Sequence, residues 1–149
     1  MGTDPEPPQR IGDLMTWALV YVASLFVLLA LDAVWLGVIG GGLYKAVLGD
    51  LMLDGFRIVP AVLFYLMHIA GILIFVLPWA RRHASLWAAL GFGALYGLCT
   101  YGTYDLTNHA VLRVWTWQLT AIDMAWGAAV TGIAALTGAA VERWRTGSR

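Results

Sequence analysis

Charged residues are scarce in this chain. Only 12% of its 149 residues are Asp, Glu, Lys or Arg, whereas 60% are hydrophobic. This composition excludes an ordinary soluble globular domain. The formal net charge is zero and no basic run occurs. Nucleic acid is therefore not expected as a partner.

The chain also has almost no cysteine, no strand pattern and no secretory signal. Cys99 is the only cysteine, which excludes an intramolecular disulfide and a cysteine-rich metal site. The apolar runs show no alternation of period two, so strands of a barrel are not expected. No basic segment precedes the first apolar run, and no small-residue cleavage site follows it. The first helix is therefore expected to stay as a membrane anchor, not to be removed as a secretory signal.

The chain has long apolar stretches instead. About 20 apolar residues cross the hydrocarbon core of a bilayer as a helix. Four stretches reach that length: residues 14–40, 58–79, 85–105 and 117–141. The sequence therefore predicts an all-α integral membrane protein in which four transmembrane helices form one bundle.

The flanking segments predict the ends of the domain. Residues 1–13 are polar and proline-rich, which is typical of a disordered tail. Residues 142–149 form a basic tail. Between the first two spans, one apolar face at helical spacing predicts a short helix in the interface: Leu43, Tyr44, Val47, Leu48, Leu51 and Met52.

The distribution of Lys and Arg predicts the orientation. One side of the predicted bundle holds six basic residues: Arg10, Arg81, Arg82, Arg143, Arg145 and Arg149. The other side holds Lys45, Arg57 and Arg113. Because cytoplasmic loops carry the excess of positive charge, both termini are expected to be cytoplasmic. The tryptophans near the span ends, Trp115 and Trp117 among them, are expected to form interfacial belts.

Two aspartates lie in the same local motif within predicted spans. Asp32 and Asp123 are each followed three residues later by a tryptophan, Trp35 and Trp126. An ionisable group inside a membrane is costly, so such groups usually serve a function. Residues three apart share a helix face, and each acid is therefore expected to lie beside its own indole. The first and fourth helices run in opposite directions, so the motif does not indicate a duplicated domain.

Helix geometry predicts that the polar groups converge. At 1.5 Å per residue, Asp32 and Asp123 lie roughly 12 Å and roughly 9 Å inside the outer ends of their helices. Asp105 closes the third span on that side, and His68 lies near the midplane. The candidate ligand-binding residues are Asp32, Trp35, His68, Tyr101, Asp105, Asn108, Asp123 and Trp126.

A metal site is an alternative use of these residues. Asp105 and His109 are four residues apart and share a helix face. Carboxylate and imidazole ligands suit iron, manganese or zinc, and the set would be Asp32, His68, Asp105, His109 and Asp123. No Glu-x-x-His or His-x-x-x-His spacing occurs, however, and a His within a span often serves only as a hydrogen-bond partner. No cofactor is firmly implied.

Pairs of glycines at four-residue spacing predict close helix packing. Gly93 and Gly97 lie on the third helix, and Gly37 and Gly41 on the first. Small residues at this spacing let two helix backbones approach closely. The contacts are expected either within one chain or between chains, so a homodimer or a larger membrane complex is compatible with the sequence.

Several segments resemble one family of bacterial proteins. They are Leu31-Asp32-Ala33-Val34-Trp35-Leu36-Gly37, Phe64-Tyr65-Leu66, Tyr104-Asp105-Leu106-Thr107-Asn108 and Asp123-Met124-Ala125-Trp126-Gly127. The chain is similar over about residues 14–140 to the predicted membrane proteins grouped as domain of unknown function 2177. The resemblance implies a four-span protein of the bacterial inner membrane. It implies no activity and no catalytic residues.

Three functions remain open from the sequence. The first is a pocket in the outer half of the bundle that binds, and in one version modifies, a lipid or small amphiphile. As a catalyst, one desolvated carboxyl group would serve as acid or base. The second is a structural or accessory subunit of a larger membrane complex, in which each acid with its tryptophan joins helices. The third is a dimeric proton-coupled transporter, although its acids would lie on one side of the midplane.

Overall fold

The computed structural model describes residues 7–147, and every long apolar stretch forms a helix. The first helical segment contains α1 (Pro7–Val34), a π-helical turn (Trp35–Gly40) and α2 (Gly41–Leu48), and a short 3₁₀ turn (Gly49–Leu51) follows it. The second contains α3 (Ile58–Gly71), a π-helical turn (Ile72–Val76) and α4 (Leu77–Arg82). The third and fourth are α5 (Leu86–Val111) and α6 (Trp117–Thr146). The predicted all-helical class is confirmed.

The helices extend beyond the predicted domain ends. α1 begins at Pro7, inside the stretch for which the sequence predicts a disordered tail, because proline is tolerated at the first position of a helix. The rest of that tail, residues 1–6, lies outside the described residues. α6 continues to Thr146, so most of the predicted basic tail is helical as well. Residues 148 and 149 also lie outside the described part.

Within residues 7–147, three helical segments are long and apolar enough to cross a membrane. They are Gly12–Leu51, Ile58–Arg82 and Trp117–Thr146. The segment α5 has 26 residues, about 39 Å at 1.5 Å per residue. It is not among these three segments; its threonines and tyrosines carry hydroxyl groups and its glycines have no side chain, so these residues add little to its hydropathy. The predicted span 85–105 therefore remains a prediction.

Two glycines permit the π-helical turn that follows α1. A Cβ on Gly40 would overlap the indole of Trp35, and a Cβ on Gly41 would overlap the backbone carbonyl oxygen of Leu36. Within the segment predicted as an interfacial helix, α2 continues from this turn without a loop, and Leu51 and Met52 of the predicted face lie beyond its end. A position in the interface stays a prediction. Single π turns occur often at functional sites, and this one separates Asp32 from Tyr44.

Close packing of α5 on α6 depends on small residues. A Cβ on Gly93 would meet Ala135 and the backbone at Gly132. A Cβ on Gly97 would overlap the carbonyl oxygen of Gly127. This glycine pair thus serves a contact within one chain. Gly37 has no neighbour within 4 Å of a Cβ position among the described residues.

Buried apolar residues form a continuous core at one end of the bundle. We call this region the packed half; it contains Val20, Leu28, Ile69, Ile72, Val76, Leu77, Ala89, Val130, Ala134 and Ala135. At the same end Arg81 pairs with Glu142 at 2.9 Å, and its guanidinium lies 4.8 Å from the ring centre of Trp17. The start of α1 and the ends of α4 and α6 therefore lie together.

Candidate ligand-binding site

A cavity of about 490 Å³ lies between α1, α2, α3, α5 and α6, at the other end of the bundle. We call this region the cavity half. Its walls consist of seven aromatic residues, three threonines, one leucine and two aspartates: Trp35, Tyr44, Phe64, Tyr65, Tyr101, Tyr104, Trp126, Thr100, Thr103, Thr107, Leu36, Asp32 and Asp123. Both acids of the repeated motif thus border the same space.

Asp32 is bonded to the tryptophan of the opposite motif. The indole N–H of Trp126 donates to Asp32 Oδ1 at 2.8 Å, and Tyr65 lies next to the same carboxyl group. The ring of Trp35 stacks on that of Trp126, with centroids 4.6 Å apart and planes 6° from parallel. The expectation that each acid lies beside its own indole is therefore wrong for the hydrogen bonds.

The π-helical turn contains the indole that does not bond Asp32. Trp35 is its first residue, and its indole nitrogen lies against Gly40, away from Asp32. That nitrogen is buried and has no hydrogen-bond partner among the described residues. Because α1 and α6 run antiparallel, Trp126 reaches across to the depth of Asp32.

Asp123 and Asp105 form a buried pair of acids beside the cavity. Asp123 is 3% exposed and Asp105 is fully buried. Their carboxyl groups lie next to each other, and Tyr44 lies next to Asp123. Within residues 7–147, Asp123 Oδ1 and both oxygens of Asp105 lack a hydrogen-bond partner. Asp105 does not itself line the cavity.

His68 lies behind the wall of the cavity. Its Nε2 shares a hydrogen bond of 2.9 Å with Thr131 Oγ1. The rings of Phe64 and Tyr101, which do line the cavity, lie 5.3 and 6.2 Å from the imidazole. His68, a candidate ligand-binding residue by sequence, is thus separated from the cavity by Phe64 and Tyr101.

Two further candidate residues, Asn108 and His109, lie near the end of α5 and outside the cavity wall. His109 Nδ1 shares a hydrogen bond of 3.1 Å with Thr120 Oγ1, which also accepts from the indole N–H of Trp115 at 3.0 Å. The carbonyl of Asn108 accepts the Leu112 N–H at the end of α5. Neither His109 nor Asn108 lines the cavity. Trp115 is buried and its indole N–H bonds within the protein, so its place in an interfacial belt stays a prediction.

The five candidate metal ligands do not form one set. No group of three His, Cys, Asp or Glu side chains in the described part of the chain is arranged to hold a metal ion. Asp32 and Asp123 border the cavity, whereas His68 and His109 each bond to a separate threonine. The geometry gives the metal hypothesis no support.

Sequence reasoning missed several residues of the cavity wall. Thr100, Thr103, Tyr104 and Thr107 recur at the spacing of one helix face, which is a polar stripe that the sequence does show. Tyr65 lies three residues before His68, also on a shared face. No sequence signal points to Tyr44, because it follows the π-helical turn.

Comparisons with known proteins identify the family but no activity. A family model described as "Predicted membrane protein (DUF2177)" matches residues 17–140, which include every residue that lines the cavity. No curated protein and no solved structure gave a match. The family resemblance seen in the sequence is confirmed. The chain belongs to the DUF2177 family of predicted membrane proteins.

Proposed function

We propose that this membrane protein binds a lipid or another small amphiphile in the cavity half. One observation carries the proposal: about 490 Å³ of space has aromatic walls and two carboxylates that are almost fully buried. Ligand cavities commonly measure about 300–1,000 Å³ and combine apolar walls with a few convergent polar groups.

The exposure of the cavity rim supports entry from the side. Phe64 on α3 and Tyr104 on α5 border the cavity and are 43% and 52% exposed. The preceding residues of α3, from Ile58 to Leu63, are mostly exposed as well. In a bilayer these surfaces contact hydrocarbon. An amphiphile would enter between α3 and α5 with its tail outward.

Helix joining alone does not explain the acids. The hydrogen bond from Trp126 to Asp32 does join α6 to α1, as the structural hypothesis expects. Asp123 Oδ1 and the Asp105 oxygens have no such bond among the described residues. Because an unsatisfied buried carboxyl group is costly, a ligand that bonds Asp123 supplies the missing interaction.

The proposed membrane topology has four spans with both termini cytoplasmic. The ion pair between Arg81 and Glu142 places the ends of α4 and α6 together, so the start of α6 lies at the opposite end of the bundle. Only α5 connects α4 to that start. If α4 and α6 belong to spans, α5 must cross as well. The bias in Arg and Lys then supports an inner-membrane protein with N-in and C-in orientation.

A substitution that fills the cavity tests the proposal. Thr103→Phe places a ring in the cavity, and Thr137→Phe on α6 is the matched control. Each hydroxyl donates to the carbonyl four residues earlier, at 2.8 and 2.9 Å, but only Thr103 lines the cavity. The protein is purified in mild detergent, and bound amphiphiles are identified by native mass spectrometry.

The expected result is a stoichiometric amphiphile on the wild type and on Thr137→Phe that is lost from Thr103→Phe. The same amphiphiles at the same occupancy on all three proteins would contradict the proposal, because binding would then not depend on the cavity.

A further inference from the structure

The cavity presents acidic groups without a matching positive charge. Among the described residues that line it, two are aspartates and none is Lys, Arg or His. Asp105 lies directly behind Asp123 and adds a third carboxyl group. Asp123 is nine-tenths buried or more, borders the cavity and has an oxygen without a partner. A donor within the cavity would satisfy this oxygen.

The three threonine hydroxyl groups of the wall act as acceptors toward the cavity. Thr100, Thr103 and Thr107 each donate their hydroxyl hydrogen to a backbone carbonyl of α5. Their oxygens therefore face the cavity with lone pairs only. The Trp126 N–H is taken by Asp32, and that of Trp35 lies against Gly40. The tyrosine hydroxyls of the wall can donate, and Tyr44 and Tyr65 lie next to Asp123 and Asp32. A ligand head group with donors would bond the threonine oxygens and Asp123 Oδ1, which lack a donor among the described residues.

The aromatic walls favour a positive charge on that donor. The rings of Trp126, Tyr65 and Tyr101 border the same space as Asp32 and Asp123. The face of an aromatic ring attracts a cation, with a gain of about 0.5–2 kcal/mol per contact. Hydrogen bonds from an ammonium to a carboxylate are about twice as strong as neutral ones.

We propose that the head group bound in the cavity is a protonated amine, held by Asp123 and Asp32 within the aromatic wall. This inference rests on the proposed function, since it specifies the ligand of the same cavity. An anionic head group would face the carboxylates without a counter-charge. A neutral hydroxyl would donate to Asp123 but would gain neither the charge nor the ring contacts.

Three probes with the same twelve-carbon chain test the charge. They are dodecylamine, dodecanol and dodecanoate, each measured by equilibrium dialysis at neutral pH. The protein is held in phosphatidylcholine nanodiscs, and empty discs provide the background of lipid partitioning. We expect saturable binding of dodecylamine that is tighter by at least about tenfold than that of either other probe.

Two variants test whether the preference for dodecylamine depends on the aspartates of the cavity. Asp123→Asn should reduce the preference for dodecylamine to less than about threefold, because the amide carries no charge. Thr103→Lys keeps all three acids and supplies an ammonium within the cavity, so dodecylamine should no longer bind even if Asp123→Asn fails to fold. Thr137→Lys is the control and should bind as the wild type does.

The outcomes separate the two proposals. Equal binding of the three probes that Thr103→Phe abolishes would overturn the amine assignment and leave the proposed function standing. Tighter binding of dodecanol or dodecanoate would do the same. If no probe binds saturably in a way that Thr103→Phe prevents, both proposals are wrong.

Discussion

The packed half and the cavity half of this bundle use the same helices in different ways. Around Leu28, Ile72 and Val130 the side chains are apolar and fully buried, and α5 contacts α6 through glycine. Around Asp32 and Asp123 the same helices separate to enclose about 490 Å³. On α1 the fully buried Leu28 lies only four residues, about one turn, before Asp32, which borders the cavity. The change from packing to cavity is therefore abrupt.

This difference indicates where the stability of the bundle resides. Close contacts in the packed half favour the fold, whereas buried polar atoms without partners in the cavity half cost about 1–3 kcal/mol each. Proteins commonly keep such costs where function requires them. Loss of a close contact in the packed half should therefore destabilise the protein, whereas removal of an unpartnered buried acid from the cavity half should stabilise it.

The largest expected effect is in the packed half. Gly97→Leu should destabilise the protein by at least about 3 kcal/mol, because its side chain would overlap the backbone of α6. Gly91→Leu is on the same helix and has open space at the Cβ position, so it should behave as the wild type. Reversible unfolding in sodium dodecyl sulfate would measure both. Similar stability of the two variants would show that α5 does not depend on close contact with α6.

The second largest loss of stability is expected from breaking the hydrogen bond between Trp126 and Asp32. Trp126→Phe keeps the ring but removes the donor to Asp32, and should cost about 1–3 kcal/mol. Trp144→Phe is the control, since Trp144 is exposed near the end of α6. The same unfolding assay applies. A loss no greater than that of the control would mean that Asp32 finds another partner.

The third effect has the opposite sign. Asp105→Asn removes a buried acid that lies next to Asp123 and has no hydrogen-bond partner among the described residues. It should stabilise the protein by about 1–2 kcal/mol, because no buried charge pair is broken and an amide can donate to Asp123. The exposed Asp50→Asn should have no effect. Destabilisation by Asp105→Asn would show that this acid supports the fold.

The smallest effect concerns the boundary between the halves. Thr131→Val removes the hydroxyl bonded to His68 with little change of volume and should cost about 1 kcal/mol. Thr137→Val removes a hydroxyl bonded only to its own helix, so it should cost less. Equal losses from the two variants would mean that His68 adds nothing through this bond.

The sequence predicts the helices better than the contacts between them. Hydropathy locates the four helical segments, because a run of apolar residues must be helical whatever it packs against. Depth along each helix also indicates that Asp32 and Asp123 meet. The pairing of Trp126 with Asp32 depends on the π turn at Trp35 and on the antiparallel approach of α6. Residue spacing along one helix predicts neither the π turn nor the approach of α6.

The same limit applies to the polar residues beside the cavity. His68 and His109 fall at suitable depths, but each turns to a threonine on α6. Tyr44 enters the cavity wall from a helix that its amphipathic pattern assigns to the interface. The rotation of each helix about its own axis decides which of these side chains reach the cavity. Helices that are apolar on every face do not indicate which face turns inward, so the sequence does not define that rotation.

A high-resolution structure of the protein in a lipid bilayer, inspected at Asp123, tests the central claim most directly. We expect non-protein density in the cavity between α3 and α5, with a polar atom at hydrogen-bond distance of about 3 Å from Asp123 Oδ1. A closed cavity in which Asp123 and Asp105 bond to side chains of the protein would contradict the claim that this half of the bundle is a ligand site.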